Sequence, residues 1–142
     1  MTKPAPLPLD AYPLRAMDTI RYADTDRQGH VNNAAFATFC ETGRCMFLYD
    51  SGRPLLQGGA GFVIARLAID FLAEVTWPGR VEIGTRVVTV GRSSFGLGQG
   101  LFQDGNCVAT ADSVIVQVDE ATRRSKPLGE DAVELLESLR GV

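Results

Sequence analysis

A change in the spacing of apolar residues constrains the fold most strongly. Between about Asn33 and Asp50 the apolar side chains recur at helical spacing and spread well beyond one stripe, so the helix should be mostly enclosed. From Phe62 onward the spacing changes to alternation, with turn signals at residues 77–79 and 104–105. One long buried helix followed by four strands predicts an α+β fold in which a mainly antiparallel sheet wraps around the helix.

The other elements follow from the same patterns. Strands are predicted at residues 14–23, 62–74, 81–90, 94–103 and 107–118, and a short amphipathic helix at residues 128–140. In the fourth strand Gly96, Gly98 and Gly100 share one face, because side chains alternate along a strand. Glycine weakens a strand, so we expect the long helix to lie close against this face.

The chain length of 142 residues fits a single domain. Residues 1–13 carry four prolines, at positions 4, 6, 8 and 13, and are expected to form a loose or extended N-terminal lead. Residues 14–142 are then expected to form the single folded domain. No stretch has the apolar length of a signal peptide or a membrane-spanning helix, so we expect a cytoplasmic protein with no membrane partner.

Charge and cysteine content narrow the possible partners. The net charge is -3 without a concentrated basic surface, which argues against binding to nucleic acid. The three cysteines, Cys40, Cys45 and Cys107, are an odd number without paired spacing and lie in apolar runs. They are expected to be buried free thiols in a reducing compartment.

The ten residues from Asp24 to Asn33 carry the densest chemistry of the chain. They include two carboxylates, the only histidine, a glycine and two asparagines, directly before the long helix. Asn32 or Asn33 suits the N-cap, since its side-chain oxygen can accept from the first free N–H groups of the helix. Such a loop can be purely structural, because Asp and Asn often serve only as caps and turns.

Several chemical interpretations of this loop fail on particular residues. The spacing of Asp24, Asp26 and Gln28-Gly29 imitates a calcium loop, but Ala35 stands where a bidentate Glu is required. A zinc site lacks ligands, since there is one histidine and no paired cysteine. A Ser-His-Asp triad is possible in principle, but no serine occurs in a G-x-S-x-G context. An aspartyl-phosphatase loop would need a parallel α/β pattern, which is absent from the sequence.

Acyl transfer to water is the chemistry that remains. A carboxylate can act as general base or nucleophile on a thioester carbonyl. A helix N-terminus supplies free N–H groups and a favourable dipole for the oxyanion. The loop places carboxylates directly before such a terminus.

The segment Tyr22–Phe36, with Glu41 and Arg44 beyond it, resembles the signature of hotdog-fold thioesterases of the 4-hydroxybenzoyl-CoA thioesterase-like superfamily. The long strand after the helix, the glycine-bearing strand and the ending Val118–Leu128 resemble it too, so nearly the whole chain is covered. The D-x-D-x-x-G-H-V-N-N core is fairly specific for this superfamily, which acts on many substrates. The resemblance implies a hotdog fold and hydrolysis of an acyl-CoA or acyl-carrier-protein thioester.

The resemblance also assigns roles within the loop. Asp26 becomes the catalytic carboxylate, and the backbone N–H near Asn33 polarises the thioester carbonyl. His30 matches a histidine of plant acyl-carrier-protein thioesterases, whose accompanying asparagine is replaced here by Gln28. Benzoyl-type members carry an aromatic residue where Asn33 stands, and this departure argues against a benzoyl substrate. Asp24 is expected to brace the loop.

Further expectations concern the substrate and the assembly. Glu41 is a candidate helper in the helix, and Arg92, Ser93 and Ser94 are candidates for the coenzyme A phosphates, joining Asp24 and Gln28 as candidate substrate-binding residues. The resemblance implies a homodimer, possibly a dimer of dimers, with active sites at the subunit interface. No cofactor or metal is expected, since coenzyme A is part of the substrate.

Two other functions remain compatible with the sequence. A hydratase or dehydratase on the same fold would use His30 and Asp26 on the β-carbon of an acyl thioester. A non-catalytic acyl-thioester-binding protein is the other, and Gln28 in place of asparagine is its best support.

Overall fold

A computed structural model describes residues 6–50 and 55–141 of the protein. These residues form two α-helices, five strands and two 3-10 turns. In chain order the elements are a 3-10 turn (Leu9–Ala11), β1 (Leu14–Thr19), a 3-10 turn (Tyr22–Asp24), α1 (Asn33–Asp50), β2 (Ala60–Phe71), β3 (Arg80–Val90), β4 (Ser94–Gln103), β5 (Asn106–Asp119) and α2 (Glu130–Ser138).

The five strands form one antiparallel sheet in the order β1-β3-β4-β5-β2. β1 and β2 are its edges, so the chain crosses from one edge to the other through α1. β3, β4 and β5 follow as consecutive antiparallel neighbours, as their short turns predict. The α+β class and the antiparallel sheet expected from the sequence are confirmed, and both agree with a hotdog fold.

Helix α1 packs against one face of the sheet, and Gly43 is the point of closest approach. A Cβ atom built on Gly43 would lie 2.5 Å from Ile83 Cγ2 and 2.8 Å from Gln99 Nε2. Gln99 Nε2 also donates a 3.0 Å hydrogen bond to the backbone oxygen of Cys40 on the helix. Phe36 and Phe39 share a buried apolar cluster with residues of β3, β4 and β5. Because Gly43 has no side chain, the helix can pack this closely on the sheet.

The glycines of β4 lie on the sheet face opposite α1, so the prediction that they face the helix is wrong. Gly98 is paired with Asp112, whereas Gln99, which bonds α1, is paired with Ala111. A Cβ on Gly100 would lie 2.8 Å from the Tyr12 hydroxyl oxygen. The glycine face accommodates the buried ring of Tyr12, and small residues of β5, such as Ala111, face the helix instead.

The first part of the chain departs from prediction in two places. The predicted extended lead contains the 3-10 turn Leu9–Ala11, and its Tyr12 is buried; residues 1–5 lie outside the described residues. The predicted strand at residues 14–23 ends at Thr19. The chain turns there because the Asp24 carboxylate accepts a 2.8 Å hydrogen bond from the backbone N–H of Arg21 and closes a second 3-10 turn.

The cysteines are free thiols in different environments. Burial raises the pKa of the Cys40 thiol to about 11, despite the opposing effect of the Arg44 charge. Cys45 is exposed and Cys107 is partly buried, so the expectation that all three are buried is confirmed only for Cys40. In the described parts of the chain, no helix is long and apolar enough to cross a membrane.

Substitution of Gly43 by alanine tests the close packing of helix and sheet. We expect Gly43→Ala to lower the free energy of unfolding by about 1–3 kcal/mol through overpacking, although alanine is the better helix former. Chemical denaturation measures the change. Gly58→Ala is the matched control, because a Cβ there has no neighbour within 4 Å. Equal stability of Gly43→Ala and the wild type would contradict this packing.

Candidate active site

The loop between β1 and α1 is a short closed turn. Thr25 and Val31 form an isolated antiparallel bridge across it. Inside the bridge, the N–H of Asp26 donates to the oxygen of His30 at 2.7 Å, and the N–H of Gly29 donates to the oxygen of Asp26 at 3.0 Å. Gly29 has a φ of 84°, a conformation that glycine adopts at little cost. The backbone of the loop is therefore fixed by its own hydrogen bonds.

One of the two oxygens of the Asp26 carboxylate is hydrogen-bonded within this turn. Its Oδ1 atom accepts from the backbone N–H groups of Gln28, at 2.9 Å, and His30, at 3.3 Å. Its Oδ2 atom has no hydrogen-bond partner among the residues that the structure describes, and the side chain is exposed. One oxygen thus orients the carboxylate and the other is available for chemistry.

The loop is attached to the segment that joins β2 to β3. The N–H of Val31 donates to the oxygen of Val75 at 2.8 Å, and His30 forms an isolated bridge with Thr76. Val31 and Val75 are both buried. The position of Asp26 is consequently set by the sheet as well as by the loop.

Helix α1 begins with a side-chain cap and one free donor. Asn32 Oδ1 accepts from the N–H of Ala34 at 3.0 Å, so Asn32, one of the two predicted candidates, is the N-cap. The N–H of Ala35 donates to the backbone oxygen of Asn32. The N–H of Asn33 has no partner within the described ranges. A helix N-terminus also carries partial positive charge, so this donor suits an oxygen that gains negative charge.

His30 is paired with a carboxylate that the sequence did not point to. Its Nε2 atom lies 3.0 Å from Glu74 Oε2, just beyond the end of β2. The spacing pattern put Glu74 at the end of the strand predicted over residues 62–74 and gave it no partner. The contact depends on the long-range attachment of the loop to residues 75 and 76, which a local pattern does not reveal.

These groups line one open cleft of about 430 Å³. Its polar side is formed by Asp26, Gln28, His30, Asn33 and Glu74. Its apolar side includes Phe36, Phe71 and Leu72. The cleft can therefore place an apolar group beside a carboxylate and a free backbone donor. In the described part of the chain, no cluster of three His, Cys, Asp or Glu side chains is placed to hold a metal ion.

Two other candidates lie outside this cleft. The Asp24 carboxylate accepts from the N–H of Arg21, and the backbone oxygen of Asp24 accepts from the N–H of Asn32 at 2.8 Å. Asp24 thus holds the chain on both sides of the loop. Glu41 is exposed and lines a separate cleft together with Arg44.

The structure does not bring Arg92, Ser93 and Ser94 to Asp26 within one chain. Arg92 and Ser93 lie in the turn between β3 and β4, and Ser94 begins β4. The N–H of Leu128 donates to the oxygen of Arg92 in this turn at 2.9 Å. Asp26 lies near the opposite end of β3, whose 11 residues span roughly 30 Å. Only a second subunit could combine this turn with the Asp26 cleft.

Comparisons with known proteins were made for the whole chain. Residues 20–136 match the family model of the thioesterase-like superfamily. Among curated proteins, none matches the sequence significantly. A solved structure from Pseudomonas aeruginosa is 26% identical, with a TM-score of 0.84 over 94% of this chain and 96% of the other.

Two further similar structures carry thioesterase in their names. One is a thioesterase from Thermus thermophilus, solved with coenzyme A and Zn; it is 30% identical, with a TM-score of 0.77 over 92% of this chain and 96% of that one. The other is a predicted thioesterase from Bacillus stearothermophilus, 25% identical, with a TM-score of 0.77 over 89% of this chain and 96% of that one.

Loss of the Asn32 cap should loosen the start of α1. We expect Asn32→Ala to lower the free energy of unfolding by about 1 kcal/mol, because the N–H of Ala34 loses its acceptor. Asn32→Asp should retain wild-type stability, since aspartate caps as well as asparagine does. Thermal and chemical unfolding measure both changes. Equal stability of Asn32→Ala and Asn32→Asp would show that the side chain of Asn32 does not cap the helix.

Proposed function

The chain belongs to the thioesterase-like superfamily, and on this basis we propose that it hydrolyses the thioester of an acyl-CoA or acyl-carrier-protein substrate to a free acid and a thiol. One observation carries the proposal: Asp26 and Asn33 line the same cleft, and neither the Oδ2 atom of Asp26 nor the N–H of Asn33 has a hydrogen-bond partner among the described residues. Thioester hydrolysis needs this combination of a base or nucleophile and an oxyanion donor.

The proposed reaction begins with the thioester carbonyl oxygen accepting a hydrogen bond from the N–H of Asn33. In the general-base route, a water molecule gives a proton to Asp26 while its oxygen bonds to the carbonyl carbon. The tetrahedral intermediate then breaks its C–S bond, and the departing thiolate takes the proton from Asp26. The products are a carboxylic acid and a thiol, and Asp26 is again ionised.

In the nucleophilic route, the Asp26 carboxylate itself bonds to the carbonyl carbon and the thiolate leaves. Water then hydrolyses the resulting anhydride, which releases the carboxylic acid, returns Asp26 to its ionised form and supplies the proton that the thiolate takes up. Both routes use the same geometry, with Oδ1 held by the loop and Oδ2 directed at substrate. In both, the charge on the carbonyl oxygen grows toward the N-terminus of α1, where the helix dipole favours it.

Coenzyme A is proposed as the carrier of the acyl group because the similar Thermus thermophilus thioesterase was solved with coenzyme A bound. The acyl group would lie against Phe36, Phe71 and Leu72 on the apolar side of the cleft. His30, held by Glu74, would orient the substrate or exchange protons with it. We place the reaction in the cytoplasm.

A homodimer, and possibly a dimer of dimers, is part of this proposal. β2 is an edge strand, and it exposes Val63, Ile64 and Phe71. Unpaired edges with exposed apolar side chains favour pairing with another strand. Two chains joined along β2 would cover these side chains and enclose the cleft beside Asp26. The Arg92–Ser94 turn could then meet coenzyme A only at a site shared between subunits.

A hydratase or dehydratase is the second candidate, favoured by the 3.0 Å contact between His30 Nε2 and Glu74 Oε2 in the same cleft. Such an enzyme would act on the β-carbon of the acyl group and leave the thioester intact. A thiol reagent separates the alternatives, because only hydrolysis releases free coenzyme A. Tight acyl-CoA binding without any turnover would instead identify a non-catalytic binding protein.

Replacement of Asp26 tests the proposed chemistry. We expect Asp26→Asn to reduce kcat for acyl-CoA hydrolysis by roughly 10²–10³-fold or more, because the amide can neither accept the proton nor attack the carbonyl. Thiol release from a panel of acyl-CoAs measures the rate. Asp104→Asn, in the β4–β5 turn, is the matched control and should retain wild-type activity. Wild-type rates in Asp26→Asn would remove Asp26 from the mechanism.

A charge on the edge of β2 tests the proposed dimer. The wild type should have the mass of two or four chains by light scattering. Val63→Glu should shift the assembly toward single chains, because a carboxylate on the paired edge would be desolvated. Met17→Glu is the control, since Met17 is 57% exposed on β1, the other edge strand. Dissociation by Met17→Glu alone would assign the interface to β1.

A further inference from the structure

Two aromatic side chains lie exposed beside the loop that carries Asp26. Tyr22 is 73% exposed and Trp77 is 46% exposed, and their rings meet edge to face with centroids 5.2 Å apart. Tyr22 lies in the 3-10 turn before the loop and Trp77 in the connection between β2 and β3, so neither is on the edge strand that the proposed dimer covers. Two exposed rings in contact form an apolar surface that a planar ligand can bind.

The backbone on both sides of Trp77 is fixed. Gln103 on β4 bonds Thr76 twice, since its Oε1 atom accepts from the N–H of Thr76 at 3.1 Å and its Nε2 atom donates to the oxygen of Thr76 at 2.8 Å. The oxygen of Gly79 accepts from the N–H of Ile20 at 2.9 Å. The position of Trp77 is therefore largely set before a ligand binds, which lowers the entropic cost of binding.

The pairing of the loop with the segment after β2 shows at which end of the cleft Trp77 lies. The two segments run antiparallel, with His30 bridged to Thr76. Continued along both segments, this alignment puts Ala73 beside Asn33 and Trp77 four residues further on, a separation of roughly 13 Å. The end of β2, on the apolar side of the cleft, lies in the other direction. An acyl group on the apolar side therefore leaves the thiol arm of the substrate directed toward Trp77.

The pantetheine arm of coenzyme A matches this separation. From its sulfur to the oxygen of the first phosphate it is a chain of about 13 atoms, equal to about four amino-acid residues, and so reaches roughly 14 Å when extended. Its hydroxyl and amide groups suit the polar side chains on the way, which are Gln28, His30 and Glu74. The phosphates and the adenine then lie at the level of Trp77.

Arg27 supplies a cation at the same end of the cleft. It is exposed at the tip of the loop, directly before Gln28, which lines the cleft. Arg27 forms no ion pair with any residue that the structure describes, whereas Arg21 lies 3.8 Å from the Asp18 carboxylate and 3.9 Å from that of Asp24. The charge of Arg27 is therefore available to an anion such as a phosphate.

We propose that Trp77, with Tyr22 beside it, stacks on the adenine of coenzyme A while Arg27 binds the phosphates. The inference rests on the proposed thioesterase function and adds the carrier to it, since an acyl-carrier protein has the same pantetheine arm but no adenine. Nucleobases stack on exposed aromatic rings, and arginine forms charged hydrogen bonds to phosphate oxygens. Trp77 and Arg27 are binding residues that take no part in bond cleavage.

Trp77 is the only tryptophan of the chain, so its fluorescence reports directly on this site. Coenzyme A and adenosine 3′,5′-bisphosphate should each quench the fluorescence to saturation, and pantetheine should leave it unchanged, because only the first two contain adenine. A parallel titration of N-acetyltryptophanamide corrects for the light that adenine absorbs. Absence of saturable quenching by coenzyme A, or equal quenching by pantetheine, would overturn the proposal.

The variants Trp77→Ala and Arg27→Met identify the residues responsible. Each should raise KM for an acyl-CoA roughly 5- to 100-fold with little change in kcat, since base stacking and a hydrogen bond to a charged group have this strength. Neither should change KM for the matching acyl-pantetheine, and Trp77→Phe should restore most of the affinity. Equal losses with both substrates would overturn the proposal. So would a loss in Arg92→Met without any loss in Arg27→Met, since the phosphates would then lie at the turn between β3 and β4.

The fluorescence titration also separates this inference from the proposed function, because it needs no turnover. If the protein hydrolyses no thioester but adenosine 3′,5′-bisphosphate quenches Trp77, the thioesterase function fails and the nucleotide site stands. If acyl-CoA and acyl-pantetheine are hydrolysed with equal kcat/KM and neither nucleotide quenches Trp77, the nucleotide site fails and the thioesterase function stands.

Discussion

The hydrogen bond from the N–H of Val31 to the oxygen of Val75 ties the polar loop to the sheet, and the geometry of the cleft depends on it. The 3.0 Å contact between His30 Nε2 and Glu74 Oε2 joins the same two segments. Through these links, the Asp26 carboxylate and the N-terminus of α1 are held against the end of β2. Both valines are buried, so water does not compete with the bond. A rigid scaffold of this kind reduces the reorganisation that a reaction requires.

The way in which α1 packs on the sheet also determines the shape of the cleft. Gly43 allows the helix backbone to approach β3 and β4, and Gln99 bonds the helix at Cys40. The helix therefore leans toward the middle of the sheet and away from β2. The cleft that contains Asp26 lies in the space left between the start of α1 and the end of the edge strand β2. Close packing at one side of the helix and an open cleft at the other have the same origin.

Local patterns predicted the elements well and long-range contacts poorly. The limits of α1, its cap at Asn32 and the antiparallel sheet follow from spacing and capping chemistry. The orientation of the β4 glycines was mispredicted, because it depends on the pairing of Gly98 with Asp112, which local alternation does not fix. Glu74 was missed for a similar reason, since its contact with His30 joins residues 44 positions apart. The thioester chemistry was predicted from the resemblance of the loop to a known family. The spacing of its residues alone was also compatible with a purely structural loop.

The central claim is that the Asp26 carboxylate and the N–H of Asn33 act on one thioester carbonyl. A crystal structure of the Asp26→Asn variant with an intact acyl-CoA tests it most directly. We predict that the carbonyl oxygen lies at hydrogen-bond distance from the nitrogen of Asn33, ~2.7–3.2 Å, and that the side chain of residue 26 lies beside the carbonyl carbon or beside a water molecule next to it. An acyl-CoA bound with its thioester outside this cleft would contradict the claim.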